Sequence, residues 1–116
     1  MENFSIDTKI VDGIVVLKLE GFLDAHTANE LEKKFDELVN NKQFNIVVDF
    51  SSLSYISSAG LGVFMAYIEI IRKNNGDIKL CEMSEKIYTI FDMLGFHILF
   101  NIYQTRSEAL SKFKAQ

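Results

Sequence analysis

Apolar and polar residues alternate at the start of the chain, in two stretches that flank an Asp-Gly pair. Residues that favour β-strands occupy one face of the first stretch, at Phe4, Ile6, Thr8 and Ile10. The second stretch, 14–19, is almost entirely apolar. Glycine tolerates the positive φ that a tight turn requires. Asp12-Gly13 between these two runs therefore predicts a β-hairpin.

After Gly21 the period changes, and apolar residues recur at helical spacing. This spacing predicts a helix over about 27–40. Thr27 and Glu30 have the spacing of a capping box at its start, and Glu30 and Lys34 have that of an i,i+4 ion pair. The predicted inward residues are Ala28, Leu31, Phe35, Leu38 and Val39.

The middle of the chain has the pattern of a buried strand followed by a second helix. The nearly unbroken apolar run 44–50 predicts a central strand that lies parallel to a neighbour. A polar turn is expected over 51–54. The second helix is expected over about 57–74, with Asn75-Gly76 as its stop.

The last third of the chain predicts a strand, two helices and a connection between them. The strand covers 78–81, and Ser84 is placed to cap a helix that Gly95 ends. The run 96–100 is expected to be a loop or a short strand. Thr105 is placed to cap the last helix.

These elements together predict one α/β domain over residues 1–116. A hairpin followed by β-α-β crossovers implies a mixed sheet of four to five strands, with about four helices packed on it.

Composition and charge narrow the classes of function. The chain has 116 residues, 48% of them hydrophobic, and a net charge of −4 with no run of Lys or Arg, which disfavours nucleic acid as a direct partner. The longest mostly apolar run, 59–71, is too short to span a bilayer. Residues 1–4 lack the basic start of a signal peptide. We therefore expect a cytoplasmic protein without a membrane partner, whose single Cys is reduced.

The second predicted helix is unusual because it is apolar nearly all round. Glu69 is the single charged residue between 59 and 71, whereas a helix in a small layered domain normally buries one stripe. Two interpretations stay open. The helix is wedged between the sheet and neighbouring helices, or its first turns also form an exposed apolar surface for a partner.

The start of that helix carries two serines followed by two glycines. Gly60 and Gly62 each cost on the order of 1 kcal/mol relative to Ala. They indicate either close packing of the helix on a strand or the close approach of a partner. Ser57 and Ser58 indicate either a simple N-cap or a phosphorylation site, because a helix N-terminus favours an anion.

The sequence gives little support for a catalytic, phosphate-binding or zinc site. The segment 56–60 is not a nucleophile elbow, and 60–62 lacks the Lys of a phosphate-binding loop. His26, His97 and Cys81 do not make a zinc site, and Cys81 is expected to be a small buried apolar residue. The sequence therefore predicts no catalytic residue, no metal and no cofactor.

Asp24 follows the second predicted strand. It either caps the first helix or lies near Ser58, because strand ends and helix N-termini meet at one edge of such a sheet.

Four stretches in the right order and spacing resemble the STAS domain of the anti-sigma-factor-antagonist type, and they cover essentially the whole chain. The third is the most specific. The stretches are Gly21-Phe22-Leu23-Asp24, Val47-Val48-Asp49-Phe50-Ser51, Tyr55-Ile56-Ser57-Ser58-Ala59-Gly60-Leu61-Gly62-Val63, and Met93-Leu94-Gly95-Phe96 followed by Glu108-Ala109-Leu110.

The resemblance implies a regulatory switch that is not an enzyme. In that family, a partner that is both serine kinase and anti-sigma factor phosphorylates the serine two residues before Gly-Leu-Gly, which is Ser58 here. The unphosphorylated protein binds the anti-sigma factor and frees the sigma factor, and a PP2C-type phosphatase restores it. The partner-binding residues expected on this basis are Asp24, Ser57, Ala59, Gly60, Leu61, Gly62 and Phe64.

The sequence departs from the family's best-characterised pattern on both sides of Ser58. Ser57 replaces an Asp and is a rival phosphorylation site, and Ala59 replaces a Ser or Thr. Two alternatives stay open: a STAS scaffold or transporter-associated subunit that is never phosphorylated, and a nucleotide-binding domain. The oligomeric state is open, with a monomer favoured.

Overall fold

Five strands and five helices follow one another in the structure, a computed structural model that describes residues 3–114. The strands are β1 (Phe4–Val11), β2 (Ile14–Leu23), β3 (Asn45–Ile56), β4 (Asp77–Cys81) and β5 (Asn101–Tyr103). The helices are α1 (Ala28–Asn40), α2 (Ser58–Lys73), α3 (Glu85–Met93), α4 (Phe96–Leu99) and α5 (Arg106–Lys114).

The sheet has the strand order β1-β2-β3-β4-β5. Strands β1 and β2 pair antiparallel through the predicted hairpin, where Asp12 and Gly13 both have positive φ, 51° and 81°. The other three pairings are parallel. The mixed five-stranded sheet that starts with a hairpin is therefore confirmed, and the carboxyl ends of β2 to β5 lie at one edge.

The two faces of the sheet are covered unequally. Val15 and Leu17 of β2 belong to a large core that also contains buried residues of α1, α2 and α3. Val16, between them, faces the other side, as strand geometry requires. There it joins a small core closed by α5, made of Ile14, Val16, Val47, Cys81, Ala109 and Phe113.

Two charged contacts hold α5 to its face of the sheet. Nε and Nη2 of Arg106 both lie 2.8 Å from Oδ2 of Asp49, whose side chain is almost fully buried. Nζ of Lys79 lies 4.7 Å from the centre of the Phe113 ring and 2.8 Å from Oδ2 of Asp77. Helix α5 thus depends on one ion pair and one cation–π contact as well as on apolar burial.

The predicted polar turn at 51–54 is wrong. These residues lie inside β3, which continues to Ile56 because it pairs with β2 in parallel, with Ser52 opposite Glu20 and Leu53 opposite Gly21. The pairing satisfies the backbone of a segment whose serines alone would favour a turn.

The run 96–100 was expected to be a loop or a short strand, and it forms the helix α4 instead. Gly95 adopts a left-handed φ of 74° and separates α3 from α4. The helical spacing brings the rings of Phe96 and Phe100 to 6.0 Å from each other, and Phe96 also packs on Phe91. The described residues therefore hold five helices where about four were expected.

The predicted capping box of α1 is also wrong. The Thr27 hydroxyl donates to Phe22 O and accepts from Asp24 N, so it makes no cap hydrogen bond to the helix. Lys34 pairs with Glu37 at 2.9 Å rather than with Glu30. The caps expected at Ser84 and Thr105 are confirmed, since their hydroxyls accept from Ile87 N and Glu108 N.

Candidate functional site

The start of α2 is fixed to the end of β2 by a backbone hydrogen bond. Ser57 N donates to Leu23 O at 2.9 Å, and in the same register Leu23 pairs with Ile56. The two stretches of sequence that carry Asp24 and Ser58 therefore meet at the carboxyl edge of the sheet, as the sequence predicted.

The two serines at this junction have different structural roles. Ser57 is the N-cap of α2: its Oγ accepts from Gly60 N at 3.3 Å, and its carbonyl accepts from Leu61 N. Ser58 is the first residue of the helix and is exposed. Its hydroxyl makes no hydrogen bond to any of the residues 3–114. Ser58 is thus the serine that a second protein can reach without breaking a cap.

The two glycines of the first turn also differ. A methyl group at position 60 would lie 2.7 Å from Leu23 Cγ and 3.0 Å from Leu23 O, so Gly60 is required by the packing of α2 against β2. At position 62 a methyl group would meet nothing within 4 Å. Packing therefore explains Gly60 and leaves Gly62 as an exposed residue beside Ser58.

Three of the residues expected to bind a partner, Gly60, Leu61 and Phe64, do not lie on the surface of the folded domain. All three are buried, with Leu61 4% exposed and Phe64 fully buried. The Phe64 ring lies at the centre of an aromatic cluster with Phe35, Phe50, Phe91 and Phe100. An all-apolar helix gives no polar stripe from which the sequence could mark its outer side. Ala59 and Gly62 stay on the exposed side.

A shallow groove of about 280 Å³ lies between this exposed side of α2 and α1. Most of its lining side chains are small, and Glu32 supplies a charge. The contribution of α1, through Ala28, Asn29 and Glu32, was not predicted. The lining residues are Ala25, Ala28, Asn29, Glu32, Ala59, Gly62, Val63 and Ala66.

Asp24 organises the connection between β2 and α1. Its Oδ1 accepts from His26 N at 2.9 Å and from Thr27 N at 3.1 Å, and it lies 3.2 Å from the Thr27 hydroxyl oxygen, whose proton is donated to Phe22 O. Desolvation raises the pKa of Asp24, but these hydrogen bonds together outweigh it and hold the pKa below its ordinary value. Asp24 is therefore an ionised carboxylate one residue from the Leu23–Ser57 bond, and it orders the turn rather than acting as the N-cap residue of α1.

The side chains of Cys81 and His97 lie away from this edge of the sheet. Cys81 is buried under α5, and desolvation raises its pKa to about 12. His97 is exposed and its Nδ1 lies 3.2 Å from Asp92 Oδ1, on the α3–α4 corner. Within residues 3–114, no three His, Cys, Asp or Glu side chains are grouped to hold a metal. No helix in that range is long and apolar enough to cross a bilayer.

The family of the chain follows from the comparison with known proteins. The STAS domain model matches residues 5–109. The chain is a STAS domain. It is 27% identical over 111 residues to the anti-sigma F factor antagonist of Paenibacillus polymyxa, covering 95% of both chains.

Solved structures agree with this assignment of the fold. A crystal structure from Thermotoga maritima matches the STAS domain with a TM-score of 0.84 and 30% identity, over 92% of each chain. Bacillus SpoIIAA in its phosphorylated form matches with a TM-score of 0.72 and 21% identity, over 96% of this chain and 99% of that one. The recognition of the family from its motifs is confirmed.

Proposed function

We propose that this STAS domain is an anti-sigma factor antagonist whose binding is switched by phosphorylation of Ser58. The partner is an anti-sigma factor that is also a serine kinase, and a PP2C-type phosphatase reverses the modification. The names of the relatives support the role as an anti-sigma factor antagonist. The exposed Ser58 hydroxyl at the start of α2 is the observation that supports switching by phosphorylation. This function places the protein in the cytoplasm.

The difference between the two serines favours Ser58 over Ser57. A phosphate on Ser57 would convert the oxygen that caps Gly60 N into a phosphoester, and it would disturb the residue whose N–H binds Leu23 O. Losing an N-cap costs about 1 kcal/mol. Modification of Ser58 leaves both bonds in place, so a kinase can act on it without loosening the junction of α2 with the sheet.

A phosphate on Ser58 changes the surface more than it changes the fold. The first turn of α2 holds no acidic residue, and a helix N-terminus tolerates an anion. The phosphate adds about −1.5 to −2 charges beside the small side chains of Ala59 and Gly62. A partner that covers those side chains must desolvate the phosphate, and complex formation is lost. The chemistry of phosphoryl transfer comes from the partner, so this chain needs no catalytic group.

The test compares Ser58→Ala with Ser58→Asp. We expect Ser58→Ala to bind the anti-sigma factor at all times and Ser58→Asp not to bind it. Ser107→Asp, which adds the same charge to the exposed start of α5 on the other face of the sheet, is the matched control and should bind normally. Equal binding by the two Ser58 variants would contradict the proposal, and so would phosphate that maps to Ser57 after incubation of the wild-type chain with ATP and the kinase.

A further inference from the structure

One edge of the sheet is a long, regular strand that pairs on one side. Strand β1 lies at this edge, and its register with β2 runs from Phe4 to Val11 without a bulge. Strand β5, at the other edge, has three residues where β1 has eight. Short length, bulges and prolines commonly protect a sheet edge from pairing with another chain. Strand β1 has none of these three, so it offers a template for a further strand.

The hairpin turn determines which backbone groups of β1 point away from the sheet. A two-residue turn is closed by a hydrogen-bonded pair, here Val11 and Ile14, and such pairs then alternate along the ladder. The odd-numbered residues of β1 therefore direct their N–H and C=O groups toward β2. The even-numbered residues direct theirs outward. A further strand would thus form its hydrogen bonds with Ile6, Thr8 and Ile10.

The side chains of β1 carry one charge of each sign. Asp7 and Lys9 are exposed on the same face as Val11, and neither forms an ion pair with the residues 3–114. On the other face Ile10 is 62% exposed. Charges of one sign on an edge strand would repel a second copy of it. One Asp and one Lys instead allow attraction between copies.

One antiparallel register of β1 with a second copy matches both the backbone and the charges. With Thr8 opposite Thr8 of the second copy, the outward backbone groups of the even-numbered residues meet each other. The same register sets Asp7 opposite Lys9 twice about the two-fold axis, and Ile6 opposite Ile10 on the other face. Moving the axis by one residue, to Asp7 or to Lys9, sets like charges opposite each other, which is destabilising.

We infer that this chain forms a symmetric dimer in which β1 pairs antiparallel with β1 of a second copy, in the register centred on Thr8. The two sheets then become one sheet of ten strands. A contact through one edge strand is small, so the dimer dissociates on dilution. The β2 strands of the two copies run in opposite directions, which puts their Ser58 residues at opposite edges of the joint sheet. The dimer therefore does not depend on the proposed function.

Sedimentation velocity of the full chain measures the dimer. We expect the mass to rise from that of one chain toward that of two between about 10 μM and 1 mM. Asp7→Lys and Lys9→Asp each set like charges opposite each other, and each should weaken the dimer at least about tenfold. Lys86→Asp changes an exposed charge on α3 and is the matched control, with an effect below about twofold. A wild-type chain that stays monomeric at about 1 mM would overturn the inference.

A mixture of the two charge variants tests the register. In a heterodimer of Asp7→Lys with Lys9→Asp, both cross-strand pairs again have opposite charges. The mixture should therefore dimerise within about threefold of the wild type, although each variant alone does not. Circular dichroism of each variant checks that it is folded. Two folded variants that stay monomeric when mixed would overturn the pairing of Asp7 with Lys9.

A proline at the two-fold axis tests the backbone pairing. The Thr8 N–H points away from β2, so Thr8→Pro removes a donor to the second copy and no hydrogen bond within the hairpin. It should abolish the dimer at about 1 mM, whereas Thr8→Val keeps the N–H and should retain it. A dimer that persists in Thr8→Pro would mean that another surface joins the copies, and the inference would be overturned.

Discussion

The two sides of α2 perform different tasks with residues that are adjacent in sequence. The inner side buries Leu61, Phe64 and Ile68 against the sheet, α1 and α3. The outer side of the first two turns presents Ser58, Ala59 and Gly62 to solvent. Successive residues of a helix are rotated by about 100° about its axis, so neighbours in the sequence lie on different sides. One helix therefore carries the central packing of the domain and the surface that the proposed switch alters.

A substitution in α2 therefore has a different effect on each side of the helix. Changes on the inner side act through the free energy of unfolding, because the core is densely packed. Changes on the outer side leave the core untouched and, under the proposed function, act on binding.

The largest effect is expected at Phe64. Phe64→Ala removes the ring that contacts four other phenylalanines and should lower the free energy of unfolding by about 4 kcal/mol. Met65→Ala, at the next position and 43% exposed, is the control and should cost less than about 1 kcal/mol. Urea denaturation of both variants measures the difference. Similar losses in the two would contradict the division between the sides of α2.

A second prediction asks whether α5 is independent of the switch. Arg106→Gln removes the cation that pairs with the buried Asp49 carboxylate and should cost about 2 kcal/mol at pH 7. Binding of the anti-sigma factor by the Ser58→Ala form should not change, because α5 packs on the opposite face of the sheet. Weakened binding by a chain that is still folded would show that the α5 face takes part in the switch.

The same ion pair gives the stability a pH dependence of known sign. Desolvation raises the pKa of Asp49, but hydrogen bonds from Ser51 and Arg106 together with the charge of Arg106 outweigh it, and the pKa is lowered from 3.8. A group with a lowered pKa in the folded state contributes stability that is complete above its unfolded pKa and is lost as the pH falls through the folded value. The deficit of Arg106→Gln should therefore shrink below about pH 4, which urea curves at pH 7 and pH 3 will measure.

The sequence could predict most of the order of elements and the position of Ser57 and Ser58 at the start of α2, because both depend on local signals. The Asp12-Gly13 turn, the helical period of α1 and the cap at Ser84 are such signals. The length of β3 depends instead on its pairing with β2. The polar composition of 51–54 therefore led to the wrong prediction of a turn.

Part of the expected partner-binding set is buried, and the sequence could not show this for a related reason. An all-apolar helix shows which residues avoid water but not which of its sides meets the sheet. Phe64 was therefore assigned to the surface, while Ala28 and Glu32 of α1, which line the groove beside Gly62, were missed.

The two glycines of α2 offer a matched test at the level of one methyl group. Gly60→Ala forces a methyl against Leu23 Cγ and the Leu23 carbonyl, and should destabilise the fold by about 1 to 2 kcal/mol. Gly62→Ala meets open space and should stabilise the helix by up to about 1 kcal/mol. Thermal unfolding of both will show the signs. A stabilising Gly60→Ala would mean that α2 does not pack closely on β2.

The smallest effect separates the two serines by stability alone. Ser57→Ala removes the oxygen that accepts from Gly60 N and should cost about 1 kcal/mol. Ser58→Ala removes an exposed hydroxyl that contacts none of the residues 3–114 by hydrogen bond, and alanine is the better helix former, so its cost should be near zero. Urea denaturation of the two variants in parallel resolves this difference without any partner. Equal stabilities would mean that the Ser57 cap contributes nothing, and the structural reason for preferring Ser58 as the phosphorylated residue would then be lost.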